Sequence, residues 1–394
     1  MLINKHYSCF DVWHLKKLIL AAALVLCDQS ATASDIVFAG ISFVGDYDQQ
    51  SSRYPHAAQL LKEKLPNGQA VLESQLRKVL EEEYIGPLDL LDSASGKNDG
   101  PQQALAFALS AEGIEEIHWG NGYLYIYRVL ASILVFDFEK QLLIANYPAM
   151  VQFQDASVEQ RSTAQHLEIF KTIYSSQDPD RSIFHEWVDH LEEVELKQSF
   201  PMYLGVRSVT LQDGLPAQMP THMTPSAYET AVAQVFETIL SKEHDVSMVP
   251  YSSGQAVGQA MPLSFQDARV FQLQLPEPNF VFDLSIEPFK HLEKKKGKGL
   301  QHAFGAFMTL DFSLAATDKK YVSSRFKQVN TSVFNQKESV ELDIWQAQQT
   351  ALRGLMANLA RQIRERDKDK LAKLTKDSVA DQFKQVEEKL SLCK

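Results

Sequence analysis

The spacing of hydrophobic and polar positions changes period several times along this chain, and those changes mark out its elements. Ile36 to Val44 is a short apolar run that predicts a buried strand. A polar stretch, Gly45 to Pro55, follows. Helical periodicity appears over Ala57–Lys64 and again over Val71–Glu83, where Leu72, Leu76 and Val79-Leu80 share a face. A third helix is predicted over Pro101–Ala111, with Pro101 suited to a first helical position. The period then drops to two. Ile114–Trp119 leads into Gly120-Asn121-Gly122, the strongest short hairpin signal in the chain. Tyr123–Phe138 is apolar on both faces except at Arg128 and Ser132, as a central strand covered on both sides should be. Glu139-Lys140 turns the chain, and Leu142–Phe153 returns beside it.

The second half repeats this order. After helices over Val158–Tyr174 and Ile183–Lys197 and a break at Phe200-Pro201, Tyr203–Leu211 reads as a strand. Thr224 is the candidate N-cap of a helix beginning at Pro225, with Tyr228, Val232, Val235-Phe236 and Ile239-Leu240 on one stripe. Asp245–Val249 suggests a strand. Phe280–Ile286 and Phe304–Leu314 alternate, and Tyr321–Phe334 follows a turn at Thr317-Asp318. A long helix runs from Val340 to Arg364, with Trp345, Leu352, Met356, Leu359 and Ile363 in line. Strand, helices, meander, helix thus occurs twice. The pattern predicts an α+β fold of two tandem mixed α/β domains, residues 34–200 and 201–366, related as a diverged repeat. Residues 367–394 form a charged helical tail.

Two stretches carry a resemblance. The opening strand Ile36–Val44 and the run Val135-Phe136-Asp137-Phe138-Glu139-Lys140-Gln141-Leu142-Leu143-Ile144-Ala145, where an Asp precedes the turn, resemble the TolB N-terminal and CsgG-like domain of bacterial envelope proteins. The resemblance implies this mixed architecture and an envelope role. The sequence has no recognisable propeller repeat, lipobox or pore-forming hairpin pair, so channel activity is not implied.

The first 33 residues read as a signal peptide rather than structure. Lys16-Lys17 precede the apolar run Leu18–Leu26, and Ala31-Thr32-Ala33 supplies an A-x-A cleavage site. The run is well below the roughly 20 residues a membrane span needs. Cys27 sits at the depth of a lipidated cysteine, but Leu26 before it is bulkier than such sites take; release into the periplasm is the reading and lipidation the alternative. Outer-membrane association would enter through that alternative. Removing residues 1–33 moves the net charge from −11 to −12, which opposes binding to nucleic acid. Of three cysteines only Cys393 would remain, so neither an internal disulfide nor a thiolate zinc site is expected.

Candidate chemistry is sparse. His185-Glu186-Trp187-Val188-Asp189-His190 places its two His five apart, about 140° around a helix, so one metal cannot bind both. The spacing pairs His185 with Asp189 and Glu186 with His190 on a solvated face. Ser252-Ser253-Gly254-Gln255-Ala256-Val257-Gly258 lacks the Lys-Ser/Thr of a phosphate loop. Lys294, Lys295, Lys296 and Lys298 form the sharpest basic cluster, an exposed hairpin tip that either solubilises or meets an anionic partner. Tyr123, Tyr125 and Tyr127 share a strand face and are read as sheet packing. Asp46, Asp48, Arg53 and Tyr54 follow the first strand, where α/β proteins often place binding groups. Val379, Phe383, Val386, Leu390 and Cys393 line one side of the tail, for docking on the body or for helical pairing of two chains with an intermolecular disulfide at Cys393.

Together these features predict an exported, non-enzymatic binding or assembly accessory of a periplasmic or surface structure. Its expected partners are envelope proteins, with no cofactor, metal or nucleic acid. Membrane contact is expected only at the 294–299 loop or through lipidated Cys27. A periplasmic hydrolase with an unrecognised site is the alternative, and neither G-x-S-x-G nor H-E-x-x-H is present.

Overall fold

A computed structural model describes residues 35–44, 50–91, 103–119, 122–178, 181–194, 202–221, 223–251, 260–265, 269–296, 299–335 and 344–394. The export segment with Cys27, the candidate residues Asp46, Asp48 and Lys298, and the Ser252–Gly258 loop lie outside them.

The chain opens with strand β1 (Asp35–Val44). Ile36, Phe38, Ile41 and Phe43 all enter one core although their spacing changes parity. A bulge resolves this: the register slips between Phe38 and Ile41, where Gly40 takes φ +84°, a left-handed conformation that a glycine adopts freely. Short helices α1 (Gln50–Arg53) and α2 (Pro55–Leu60) lead to α3 (Val71–Glu83) and strand β2 (Asp89–Leu91). Strands β3 (Gln103–Trp119), β4 (Gly122–Asp137) and β5 (Leu142–Ser157) form a long antiparallel meander. Helices α4 (Thr163–Ser175) and α5 (Ile183–Glu193) then cover it. Helix α4 starts five residues later than its periodicity suggested because Ser162 and Gln165 close a capping box.

The helix expected over Pro101–Ala111 is instead the start of β3. Leu105, Phe107 and Leu109 pack under the helices, while Ala104, Ala106 and Ala108 face the other side. Alanine and leucine are among the best helix formers, but the preference is only a fraction of a kcal/mol per residue, and burial on two faces at period two overrides it.

The second half contains β6 (Leu204–Leu211), α6 (Pro225–His244), β7 (Met248–Val249), β8 (Ala260–Phe265), β9 (Val270–Gln274), β10 (Phe280–Ile286), β11 (Lys290–Lys296), β12 (Gly299–Leu314), β13 (Lys319–Asn335) and α7 (Ile344–Glu365). Thr224 caps α6 by accepting from the Ala227 N–H, as expected. Strand order in the first half is β2-β1-β3-β4-β5, and in the second β7-β6-β10-β12-β13. In each, the opening strand runs parallel to both neighbours and the remaining pairs are antiparallel. The two halves therefore share one topology, and the fold is α+β.

They do not separate cleanly at residue 200. The hairpin β8–β9, absent from the sequence reading, joins the first sheet: β8 runs antiparallel to the end of β1, and β9 meets β5 at Leu142 and Gln274. The first sheet thus closes on itself through strands from the second half. The alanine face of β3, with Leu134, Phe136, Met261, Leu263 and Leu273, fills this third core. Small side chains let the hairpin approach.

The tail is two helices, α8 (Lys368–Leu374) and α9 (Ala380–Leu390), rather than one. The stripe Val379, Phe383, Val386, Leu390 and Cys393 is at most 1% exposed and belongs to the second core. The side that helical pairing of two chains would use is therefore packed against the body, with the Cys393 thiol inside.

Candidate binding crevice between the two halves

Helix α6 has two buried sides. Val232, Phe236 and Leu240 enter the core of the second half. Glu237, Thr238 and Ser241 are also buried, and Thr230, Gln234, Glu237 and Thr238 face a cavity shared with the first half. Below that cavity the seam is stitched by β5. The Asn146 N–H donates to Ser247 Oγ at 3.0 Å, and its Nδ2 donates to the Met248 carbonyl at 3.0 Å. Lys242 of α6 also pairs with Glu186 of α5 at 2.5 Å.

Two chambers follow the seam, with Leu130 and Gln234 lining both. The larger holds about 660 Å³ and lies between β3, β4 and β5 on one side and α6 and α7 on the other. Its apolar walls include Met150, Met223, Tyr228, Val235, Trp345 and Met356. Trp345 is held in place by Tyr228 and Phe289, with ring centroids 5.2 and 5.7 Å away. A charged floor crosses the seam. Arg128 pairs with Glu115 at 2.8 Å and donates to Gln152 at 3.1 Å. With its amide nitrogen toward Glu115, Gln346 donates to both carboxylate oxygens at 2.8 and 2.9 Å and accepts from Arg353 at 3.2 Å. Burial, and then the nearby Arg128 charge, pushes the Arg353 guanidinium down to about 10. Tyr228 donates to Gln349 Oε1 at 2.9 Å, while the buried Gln349 Nε2 has no partner among the described residues.

Glu112 sits at the edge of this chamber. Its carboxylate accepts from the His56 and Ala57 N–H groups at the start of α2, at 3.1 and 2.9 Å, and from the Tyr174 hydroxyl at 2.7 Å. Burial outweighs these donors and lifts it to about 7.

The smaller chamber, about 290 Å³, borders α6 between Thr230 and Thr238. Arg53 enters it from the first half and Glu237 from the second. Arg53 also donates to the Val44 carbonyl at 3.2 Å. Glu237 is 3% exposed; its Oε1 has no hydrogen-bond partner, and its carboxyl accepts only from the Tyr251 backbone N–H among the described residues.

Of the residues singled out in the sequence, Arg53 thus lines a cavity, while Tyr54 is a strut. The Tyr54 hydroxyl donates to the Val44 carbonyl at 2.6 Å and lies 3.1 Å from the Ser110 carbonyl, tying β1 to β3. Lys294 and Lys295 are exposed on β11, which ends at Lys296, far along the second sheet from the crevice. Tyr125 and Tyr127 are fully buried beneath α4, where they meet Arg161 and His166.

The solvated-face reading of the His185–His190 segment is overturned. His185 and His190 are 1% and 4% exposed, because α5 is buried on its sheet side and again against α3 and α6. His185 pairs with Glu83 at 3.0 Å, Glu186 turns to Lys242, and Asp189 is exposed. These side chains do not converge. Among the described residues, no three His, Cys, Asp or Glu side chains group as a metal site would require, and no helix is long and apolar enough to cross a membrane.

No protein-family model and no curated protein matches the chain. Among solved structures, a minor lipoprotein from Acinetobacter baumannii is similar over 45% of this chain and 96% of its own, at 11% identity and a TM-score of 0.22. A score that low carries no argument about fold or role.

Proposed function

We propose that the protein is an exported, non-enzymatic binding accessory of the bacterial envelope, and that its partner inserts an apolar segment into the larger chamber. One observation carries this reading: the chamber has aromatic and thioether walls from both halves over a charge network already satisfied within the protein. Walls of that kind adapt to an apolar guest, while paired charges fix its orientation without demanding a specific reaction. The leader-like sequence supports the location. The hydrolase alternative loses its best residues, because His185, Glu186 and Asp189 point to three different surroundings.

Ala231 is exposed on α6 at the chamber wall, so Ala231→Trp fills the space without disturbing a core. Affinity capture from the native envelope fraction should retain a specific protein with the wild-type chain and lose it with A231W, both chains having equal urea midpoints. Recovery of the same proteins by both chains, or of none by the wild type, refutes the proposal.

A further inference from the structure

We propose that the smaller chamber binds a small organic carboxylate, with Arg53 facing its charge and Glu237 hydrogen-bonding to it from within. This does not rest on the partner reading above, since the two chambers share only Leu130 and Gln234.

The argument starts from an unmet atom. Glu237 is 3% exposed and lines the chamber, yet its Oε1 has no partner among the described residues. Leaving a buried polar atom unpaired costs about 1–3 kcal/mol, a cost that a ligand with the matching group removes. Thr230, Gln234 and Thr238 recur every fourth residue along the same side of α6, a stripe of uncharged polar groups facing a cavity rather than water. Ser132 and Asn146 add two more buried polar side chains opposite.

The sign of the ligand follows from the charges. Among the described residues, Arg53 is the cation lining this chamber, and Glu237 is the carboxyl group there. Burial lifts Glu237 well above the ordinary carboxylate range, which favours its protonated form, the form with an O–H to donate. A protonated carboxyl and a guanidinium lining one chamber suit an anion with acceptor oxygens. An amine would face Arg53 and find no carboxylate in return. The remaining lining, including Pro148, Pro250, Met261 and Leu275, suits a hydrocarbon body.

Size sets the scale. A 150 Å³ cavity accommodates benzene, so about 290 Å³ takes roughly ten non-hydrogen atoms. Benzoate, benzamide and benzylamine have nearly one shape and differ in the head group, which makes them a discriminating set of probes.

Titration calorimetry of the purified protein with each should show benzoate binding at least tenfold more tightly than benzamide, and benzylamine not at all. Arg53→Gln should weaken benzoate about tenfold. Glu237→Leu should weaken it more than Glu237→Gln, which keeps a donor; urea midpoints check that each variant folds. A231W, which fills the other chamber, should leave benzoate binding unchanged, so this proposal and the partner reading fail separately. Benzylamine binding as tightly as benzoate, an R53Q affinity equal to wild type, or no binding by any probe at millimolar concentration overturns the proposal.

Discussion

His190 offers a sharp test of how the halves are joined. It is 4% exposed on α5, its ring lies edge-on to Tyr147 with centroids 5.9 Å apart, and neither ring nitrogen has a partner among the described residues. Burial is the main reason that its pKa falls to about 4; the Lys242 charge across the seam adds to the shift and Asp245 opposes it. Above pH 6.5 the ring is neutral folded or unfolded, so it has no effect on stability. As pH falls below 6.5 the unfolded chain takes a proton that the fold refuses, and stability is lost down to about pH 4. At pH 5 the loss is about 1.5 pH units at 1.36 kcal/mol each, or roughly 2 kcal/mol. His190→Leu removes this titration and breaks no hydrogen bond. It should match the wild type within about 1 kcal/mol at pH 7 and exceed it by a further 2 kcal/mol or so at pH 5. His244, also near 4, and Glu112, near 7 and of opposite sign, titrate in both chains and cancel in the difference. Urea midpoints at pH 7, 6 and 5 measure it. Parallel loss of stability in the two chains would show that His190 is solvated and that the seam is not closed there.

Two further outcomes follow from the packing. Ala106 is fully buried where the alanine face of β3 meets the β8–β9 hairpin, so Ala106→Leu should overpack the third core by about 1–3 kcal/mol. It should also speed amide exchange selectively in 260–274, whereas an unchanged urea midpoint would mean that the first sheet does not close through that hairpin. The Cys393 thiol is buried and pushed up to about 12, so a disulfide reagent at pH 8 should label the native chain far more slowly than the urea-unfolded one. Equal labelling rates would show that the tail is undocked, and a monomeric band on nonreducing electrophoresis is the matching expectation.

The elements that were legible in the sequence are those whose pattern is set by a single core. Helix α3 matches its forecast over Val71–Glu83, and Thr224-Pro225 marks the start of α6, because each presents one apolar side and a local start signal. The misses occur where a segment is buried twice. The start of β3 reads as helix because alanine, not a polar residue, occupies its second face, and that face exists only because a hairpin some 160 residues later closes over it. The His185–His190 segment reads as solvated because its polar residues were assigned to water, whereas the fold puts α3 and α6 there. Both errors share one cause: the neighbours on a second buried face come from elements distant in the chain, α3 and α6 for the His185–His190 segment and the β8–β9 hairpin for β3. The crevice is the same problem at a larger scale, since Arg53, Leu130, Gln234 and Trp345 form no local motif. One local signal did point to it. Helix α6 carries Thr230, Gln234 and Thr238 where a solvated helix of this acidic chain would carry charges, and Glu237 beside them has no Lys or Arg within four positions. An uncharged polar stripe opposite an apolar one marks a helix that faces a cavity rather than solvent, and the binding proposals for both chambers depend on that helix.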